Sequence, residues 1–279
     1  MAKSSSDIPR PVLKWAGGKR QLLPQLSRYL PGSFSTYIEP FVGGGALFFH
    51  LRPERAVLID INPELVNVYN VIKENVDELI ASLAKHVNES TYYYKIRDVD
   101  RDHDAFKGWS DVERASRTIF MNRVCFNGLY RVNKKGEFNV PFGDYVNPVF
   151  CDEANLRAVH DALQKATIVH GSFERCLDHA TKGDLVYMDP PYVPLSTTAS
   201  FTSYTRDCFD AAAQKRLFAV FQELDRRGCK ILLSNSHCDF VLDLYKEYRI
   251  ETIMATRAIN CVGAKRGKIK EVLVLNQFE

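Results

Sequence analysis

Apolar residues along the chain form short continuous runs that alternate with stretches at helical spacing. The runs "YIEPF", "AVLIDIN", "DLVYMD" and "CKILLSNS" are typical of buried strands, because each is short and ends in polar or turn residues. Further strands are predicted at "ATIVHGS", "RIETIMAT" and "IKEVLVLNQ", and helices at 152–165, 210–227 and 238–247. This alternation indicates an α/β fold built on one sheet.

The first strand leads into a glycine-rich turn and a helix in "YIEPFVGGGALFF", and the next strand ends in Asp60, which together predict a β-α-β unit. Asn62 is a good N-cap, and Pro63 suits the first turn of a helix. Apolar residues then keep helical spacing at Leu65, Val68, Tyr69, Ile72 and Val76. The pattern predicts one long helix over 63–87.

The pattern changes after this helix. Residues 92–113 are polar and irregular, "VERASRTIFMNRVCF" is predicted to be helical, and "LYRVNKKGEFNVPFG" alternates around Asn133–Gly136 like a β-hairpin. Strands and helices resume near Cys151. We therefore predict that residues 1–62 and 152–279 form one discontinuous domain, and that residues 63–151 form a mostly helical domain inserted into it.

Composition narrows the class of protein. The chain has 279 residues, 46% of them hydrophobic, but no run approaches the roughly 18 apolar residues of a membrane span. Its start lacks the apolar segment of a signal peptide, so a cytoplasmic, nucleoid-associated protein is expected, with no membrane partner and as a monomer. The seven cysteines are scattered singly, which favours neither disulfides nor a metal site.

Charge is uneven along the chain although the net charge is only +3. Three stretches carry basic residues and no acidic ones: 8–38, 114–136 and 256–270. Aromatic residues are interleaved in the second stretch, at Phe120, Phe126 and Tyr130. A solvated surface explains one such stretch, but three together favour a phosphate backbone as the partner.

Two features at strand ends predict a cofactor site. Gly43, Gly44 and Gly45 let backbone approach a ligand, and Asp60, 17 residues beyond Gly43, is placed to accept hydrogen bonds from ribose hydroxyls. Neither a dinucleotide fingerprint nor a P-loop is present. A nucleoside cofactor without phosphate fits better, and S-adenosyl-L-methionine is such a cofactor.

The stretch "LVYMDPPYVPLS" ends a buried strand in Asp189, Pro190, Pro191 and Tyr192. Alone, these residues would be a turn that stops the strand. Beside a cofactor loop they predict chemistry on an exocyclic amino group, whose lone pair is delocalised into the base. The Asp189 carboxylate and the Pro190 carbonyl would accept its two hydrogens, and Tyr192 would stack on the base.

Six blocks along nearly the whole chain resemble the Dam-like DNA adenine-N6 methyltransferases: "LKWAGGKR", "EPFVGGGALF", "LIDINPELVNVYN", "FNGLYRVNKKGEFNVPFG", "YMDPPYVPLSTTASFTSY" and "LLSNS". The resemblance implies a Rossmann-like S-adenosylmethionine-dependent sheet with a DNA-recognition domain inserted. It implies N6 methylation of an adenine flipped out of double-stranded DNA, within GATC. The cofactor residues that it implies, together with the glycine loop, are Trp15, Gly17, Gly18, Lys19, Glu39, Pro40, Phe41, Gly43, Gly44, Gly45, Asp60, Ile61, Ser172, Phe173 and Asp189.

In such enzymes the segment after "FNG" enters the major groove. Arg131 is therefore expected to read a guanine, since a guanidinium can donate to both O6 and N7. Phe126 would fill the gap that the flipped adenine leaves. The remaining residues expected to contact DNA are Lys14, Arg97, Asn127, Leu129, Asn133, Pro141, Ser196 and Thr198.

One position departs from the family pattern: Asp144 stands where close relatives carry a basic residue, so the phosphate contact expected there is absent or is supplied by the basic stretch 256–270. Four alternatives stay open. The acceptor could be cytosine N4, an RNA adenine or a protein glutamine, or the protein could bind DNA without catalysis. Whether the enzyme serves restriction-modification or marks DNA for repair and gene control is also open.

Overall fold

The structure is a computed structural model that describes residues 8–192, 209–256 and 268–278. In these ranges the strands are β1 Tyr37–Glu39, β2 Ala56–Asp60, β3 Ala166–His170, β4 Leu185–Met188, β5 Lys230–Ser236, β6 Arg249–Thr256 and β7 Lys268–Leu275. The helices are α1 Leu23–Leu26, α2 Ala46–Leu51, α3 Pro63–Glu74, α4 Val76–Leu83, α5 Ser90–Arg97, α6 His103–Lys107, α7 Asp111–Val124, α8 Glu153–Leu163, α9 Ala211–Arg226 and α10 Asp239–Leu244.

The strands form one sheet in the order β3-β2-β1-β4-β5-β7-β6. The first five positions in this order pair in parallel, while β7 is antiparallel to both β5 and β6. The predicted α/β class is confirmed, and the sheet is consistent with a Rossmann-like methyltransferase. Because parallel strands place their carboxyl ends on one edge, the residues after β1, β2, β4 and β5 lie together.

The predicted helix over 63–87 is wrong in its length. Helix α3 ends at Glu74, Asn75 leaves helical geometry at φ −136° and ψ 45°, and α4 begins at Val76. The apolar spacing conceals the break, because Val76, Leu79 and Leu83 are buried like the apolar residues of α3. Asparagine is a weak helix former, and the break separates two helices that both pack on α7 and α8.

Three apolar cores hold the fold together. The first lies on one face of the sheet and includes α3, α4 and α8, and the second lies on the other face with α9. The third is separate and draws its buried side chains from residues 93–140, among them Tyr93, Phe120 and Phe138. Helices α3 and α4 therefore pack with the sheet, while α5, the end of α7 and the segment after α7 share a core of their own.

Within the described ranges, no helix is both long and apolar enough to cross a membrane.

Candidate active site

Three acidic residues lie in a row at the carboxyl edge of the sheet. Glu39 ends β1, Asp60 ends β2 and Asp189 directly follows β4. Strand β1 pairs with β2 on one side and with β4 on the other, so Glu39 lies between the two aspartates. We call Glu39, Asp60 and Asp189 the carboxylate row.

Asp60 fixes the glycine loop. Its Oδ2 accepts a hydrogen bond of 3.0 Å from the Gly43 amide, and its Oδ1 accepts one of 2.9 Å from the Asn62 amide. The Tyr69 hydroxyl donates to the Gly43 carbonyl at 2.7 Å. Burial raises the pKa of the Asp60 carboxyl, and the backbone hydrogen bonds oppose that rise.

The glycines of this loop leave room for the protein's own side chains. Gly43 has φ +46°, and a Cβ there would lie 2.7 Å from the Trp15 ring. At Gly45, with φ +65°, a Cβ would lie 3.0 Å from Phe49 and 3.2 Å from the Tyr69 hydroxyl. The space beside Gly43 thus holds Trp15, which places the "KWAGGK" segment against the loop.

Glu39 is the most enclosed member of the row, at 3% exposed. The Tyr37 hydroxyl donates to its Oε2 at 2.9 Å. Burial raises the pKa of Glu39 well above the usual carboxyl value, and the negative charges of Asp189 and Asp60 raise it further, against the effect of the Tyr37 hydrogen bond.

Lys19 pairs with Asp189. Its ammonium lies 2.7 Å from Asp189 Oδ1 and donates to the Gly17 carbonyl at 2.8 Å, and the Lys19 side chain is only 6% exposed. Burial raises the pKa of Asp189, while the positive charge of Lys19 lowers it. A carboxylate that is largely removed from water is thereby kept beside a fixed cation.

Tyr192 is held at its ring and at its hydroxyl. The Lys19 ammonium lies 4.6 Å from the ring centroid, and the hydroxyl donates to Glu271 Oε2 at 2.9 Å. Burial raises the pKa of Tyr192 well above its usual value, so the phenol stays protonated. One face of the ring is taken by the ammonium, which leaves the opposite face as the one on which a base could stack.

The buried amides of Gln214 and Asn235 reach the same loop. Gln214 Nε2 donates to the Pro191 carbonyl at 3.2 Å, and Asn235 Nδ2 donates to Gln214 Oε1 at 3.1 Å. No pattern in the sequence predicts a site role for Gln214, Asn235, Glu271 or Tyr69. A hint for Gln214 exists, since a polar residue there interrupts an apolar stripe that includes Ala213 and Leu217.

Other expected cofactor residues line the same edge. The Phe41 and Phe173 rings stack with centroids 5.4 Å apart, and Ser172 hydrogen-bonds to Glu174. Ile61 is 50% exposed, and its carbonyl oxygen lies 3.1 Å from His170 Nε2. Three more residues expected to bind the cofactor differ in their burial. Pro40 is buried, while Gly17 and Gly18 are exposed beside Trp15.

A second group of expected residues lies around Asn122. Its side chain accepts from the Lys14 amide at 2.7 Å and donates to the carbonyls of Lys14 and Gly128 at 2.9 and 3.0 Å. The Lys14 ammonium lies 4.5 Å from the Tyr145 ring centroid, and the Tyr145 hydroxyl accepts from the Asn127 amide at 3.0 Å. Lys14 and Asn127, 113 residues apart in the sequence, are thereby brought together.

The adjoining segment folds back on itself. The Asn139 amide donates to the Arg131 carbonyl at 3.1 Å and the Asn133 amide to the Glu137 carbonyl at 2.8 Å. Arg131 is exposed, and its Nε donates to Asn139 Oδ1 at 2.7 Å. Phe126 is 52% exposed, Pro141 and Asp144 are exposed, and Leu129 is half-buried. We call the exposed residues Lys14, Phe126, Asn127 and Arg131 the recognition face, after the role that the sequence predicts for them.

Arg97 contacts none of these residues. It ends α5, pairs with Asp98 at 2.8 Å and lies 4.6 Å from the Tyr94 ring centroid. Ser196, Thr198 and most of the third basic stretch lie outside the described residues.

A cavity of about 150 Å³ opens between α7 and the segment 130–138. It contains none of the residues expected to bind the cofactor. A buried ion pair between Arg117 and Asp100, 2.8 Å apart, forms part of its wall. Asp100 also accepts a hydrogen bond from the Phe138 amide, so this pair stabilises the segment 130–138. Among the residues that the structure describes, no cluster of three or more histidine, cysteine or acidic side chains could hold a metal ion.

The chain is similar to known proteins over almost its whole length. The sequence profile of the D12 class N6 adenine-specific DNA methyltransferases matches residues 15–259. A type II methyltransferase from Lactococcus lactis subsp. cremoris is 46% identical over 271 residues, covering 96% of this chain and 95% of the relative. A type II methyltransferase from Methanocaldococcus jannaschii is 44% identical over 288 residues, covering 96% and 99%. A DNA adenine methylase from Vibrio cholerae is 38% identical over 272 residues, covering 95% of each.

Proposed function

The chain belongs to the D12 class of N6 adenine-specific DNA methyltransferases, and on that premise we propose that it methylates a flipped-out adenine within GATC, with S-adenosylmethionine as the donor. The observation that carries the proposal is the carboxylate row beside the glycine loop, with Lys19 paired to its catalytic member, Asp189.

The residues of this edge fit that donor. S-adenosylmethionine has a sulfonium, an ammonium and ribose hydroxyls, and it supplies an electrophilic methyl group. Glu39 and Asp60 are carboxylates whose raised pKa values reflect burial and, for Glu39, mutual repulsion with the other two acids, so a cation nearby would stabilise their ionised forms. Asp60, the Gly43–Gly45 loop, Trp15 and the Phe41–Phe173 pair would hold the nucleoside.

Asp189 acts on the target amine. Its carboxylate and the Pro190 carbonyl would accept the two amino hydrogens, which favours a tetrahedral nitrogen whose lone pair is free to attack. Lys19 favours the ionised carboxylate, because its charge opposes the rise in pKa that burial causes. Acceptors fixed in advance in a site with little water typically contribute several kcal/mol to such a step. The flipped adenine would stack on the face of Tyr192 opposite Lys19.

The recognition face would read the duplex. We place the DNA-recognition domain within residues 63–151, where the separate third core lies. Arg131 would read a guanine, Phe126 would fill the gap left by the adenine, and Lys14 and Asn127 would contact the flanking base pair or backbone. Leu129, Asn133 and Pro141 would add base and backbone contacts, and Arg97, Ser196 and Thr198 would add phosphate contacts from outside the recognition face.

Transfer of a labelled methyl group tests this proposal. Purified protein is given methyl-labelled S-adenosylmethionine and duplexes that contain GATC, each single-substituted site, or no site, with a GATC-containing RNA analogue as a further arm. We expect label only in the GATC duplex, and N6-methyladenine as the labelled nucleoside after digestion. Equal labelling of all duplexes would overturn the specificity, and labelled N4-methylcytosine would overturn the acceptor.

A further inference from the structure

The Asp189–Tyr192 loop contains two consecutive prolines, which have no N–H with which to bond to a neighbouring strand. At Met188, β4 is still paired with Leu233 of β5. Beyond that point β5 runs on as Ser234, Asn235 and Ser236, paired with β7 on its other side. Neither proline can therefore bond to β5 through its own nitrogen, and donors from elsewhere in the protein can fix the carbonyls of the loop.

Asn235 and Gln214 supply such a donor as a directed chain of hydrogen bonds. The Ser236 amide donates to Asn235 Oδ1 at 2.8 Å, so the Asn235 nitrogen must point the other way. That nitrogen donates to Gln214 Oε1, which in turn directs Gln214 Nε2 to the Pro191 carbonyl. A backbone amide at one end thus sets the orientation of every group up to the loop.

Burial makes each hydrogen bond of this chain necessary. Gln214 and Asn235 are both 0% exposed, so water cannot replace a lost partner, and a buried amide without its hydrogen bond costs about 1–3 kcal/mol. The Pro191 carbonyl belongs to the peptide that precedes Tyr192. The Tyr192 hydroxyl is held by Glu271, whose register partner on β5 is Ser236. The peptide before Tyr192 is therefore held by Gln214 of α9, which Asn235 of β5 orients, and the Tyr192 hydroxyl is held by β7.

We propose that Gln214, oriented by Asn235, is a positioning residue that sets the geometry of the catalytic loop between Asp189 and Tyr192. Its side chain is fully buried and acts through the Pro191 carbonyl. This inference rests on the proposed function, because that function makes the loop the site of methyl transfer.

Gln214→Met tests it, since methionine has similar length but cannot donate. We expect kcat, and with it the single-turnover rate constant of methyl transfer, to fall by about 10- to 100-fold, because the reacting groups are slightly misplaced. The KM for the cofactor should change by less than about threefold. Fluorescence of a duplex with 2-aminopurine at the target adenine should also change at saturating enzyme, because Tyr192 no longer stacks in the same place.

Asn276→Leu is the matched control. Asn276 is another buried amide of the sheet, 6% exposed, and its side chain accepts from the Ile231 amide at 2.8 Å and donates to the Cys229 carbonyl at 2.8 Å, near the start of β5. Asn276→Leu should lower thermal stability as Gln214→Met does, because it too removes buried hydrogen bonds. It should leave kcat per folded enzyme within about twofold of the wild type, because a loss of stability alone does not displace the catalytic loop.

Asn235→Asp is the second variant, for use if Gln214→Met does not fold. The carboxylate still accepts from the Ser236 amide but cannot donate to Gln214, so kcat should fall in the same direction. The double variant should fall no further than Gln214→Met, since the two residues act in series.

Asp189→Ala is assayed in parallel to separate the two proposals. If Asp189→Ala is inactive while Gln214→Met and Asn235→Asp keep kcat within about twofold of the wild type, a loss too small for a positioning role, then the inference is wrong and the proposed function stands. If Asp189→Ala keeps its turnover, the proposed function fails, and the inference fails with it.

Discussion

The carboxylate row and the recognition face are constructed in opposite ways. In the row, side chains are removed from water and act on one another, so that burial raises the pKa values of Glu39, Asp60 and Asp189. On the recognition face, Arg131 and Phe126 are exposed, and their positions depend on backbone contacts behind them. Under the proposed function, chemistry would therefore depend on electrostatics within the protein, whereas recognition would depend on surface geometry.

This difference predicts that the two functions separate by mutation. Changes in the row should alter turnover and its dependence on pH while DNA binding persists. Changes on the recognition face should alter the choice of site while turnover on the preferred site persists.

The largest effect is expected for Asp189→Ala. Methylation should fall by about 10³-fold, since a fixed acceptor for the amine is lost from a site with little water. DNA affinity should stay within about tenfold of the wild type, because the carboxylate acts in the transition state. Single-turnover methylation and filter binding measure the two quantities, and loss of both to the same degree would show that row and recognition face are not separate.

Lys19→Met should lower kcat by about 10²-fold, as expected when a fixed charge is removed from a site with little water, and should change its pH profile. Without the ammonium, the largest effect that opposes the burial of Asp189 is removed and its pKa rises further, so the ionised form is lost at a higher pH. The acidic limb of the kcat profile should therefore move to higher pH. An acidic limb that stays in place would mean that Asp189 is not the group that titrates.

Arg131→Ala should relax the choice of base at one position of the site by about 1–3 kcal/mol, the usual value of a bidentate guanine contact. Competition among single-substituted duplexes measures this. Lys134→Ala, an exposed neighbour, is the control and should weaken all duplexes alike. A uniform loss with Arg131→Ala as well would make Arg131 a phosphate contact.

Glu39→Gln should give the smallest effect, a stabilisation of about 1 kcal/mol, as is common when a functional site is relaxed. A folded-state pKa above the unfolded value means that the folded protein binds the proton more tightly, so stability falls as pH rises between those two values. The gain in thermal unfolding temperature should therefore be larger at pH 8 than at pH 5.

Glu247→Gln changes an exposed carboxyl and is the control. It should leave the thermal unfolding temperature unchanged at both pH 8 and pH 5. A loss of stability with Glu39→Gln at both pH values would contradict the assignment of Glu39 as a destabilised buried acid. A weaker affinity for the cofactor in the same variant would place Glu39 in the cofactor site.

The sequence predicts most accurately those site residues that lie at the ends of strands. The strand "AVLIDIN" is seen at Ala56–Asp60, and the ends of β1, β2 and β4 bring together Glu39, Asp60 and Asp189 because parallel strands share an edge. The break at Asn75 could not be seen, since buried Val76 continues the apolar spacing of α3.

Contacts between distant segments were also beyond prediction. Asn122 holds Lys14 across 108 residues and Tyr192 reaches Glu271 across 79, and neither pairing leaves a local pattern. Gln214 and Asn235 lie in apolar surroundings, where only the presence of a polar residue at a buried position hints at a partner.

Modified-base sequencing of DNA from cells that express the protein, compared with cells that express Asp189→Ala, tests the central claim most directly. The account predicts N6-methyladenine at GATC with the wild type and none above background with the variant. Methylation of another base or another context, or equal methylation by the variant, would contradict it.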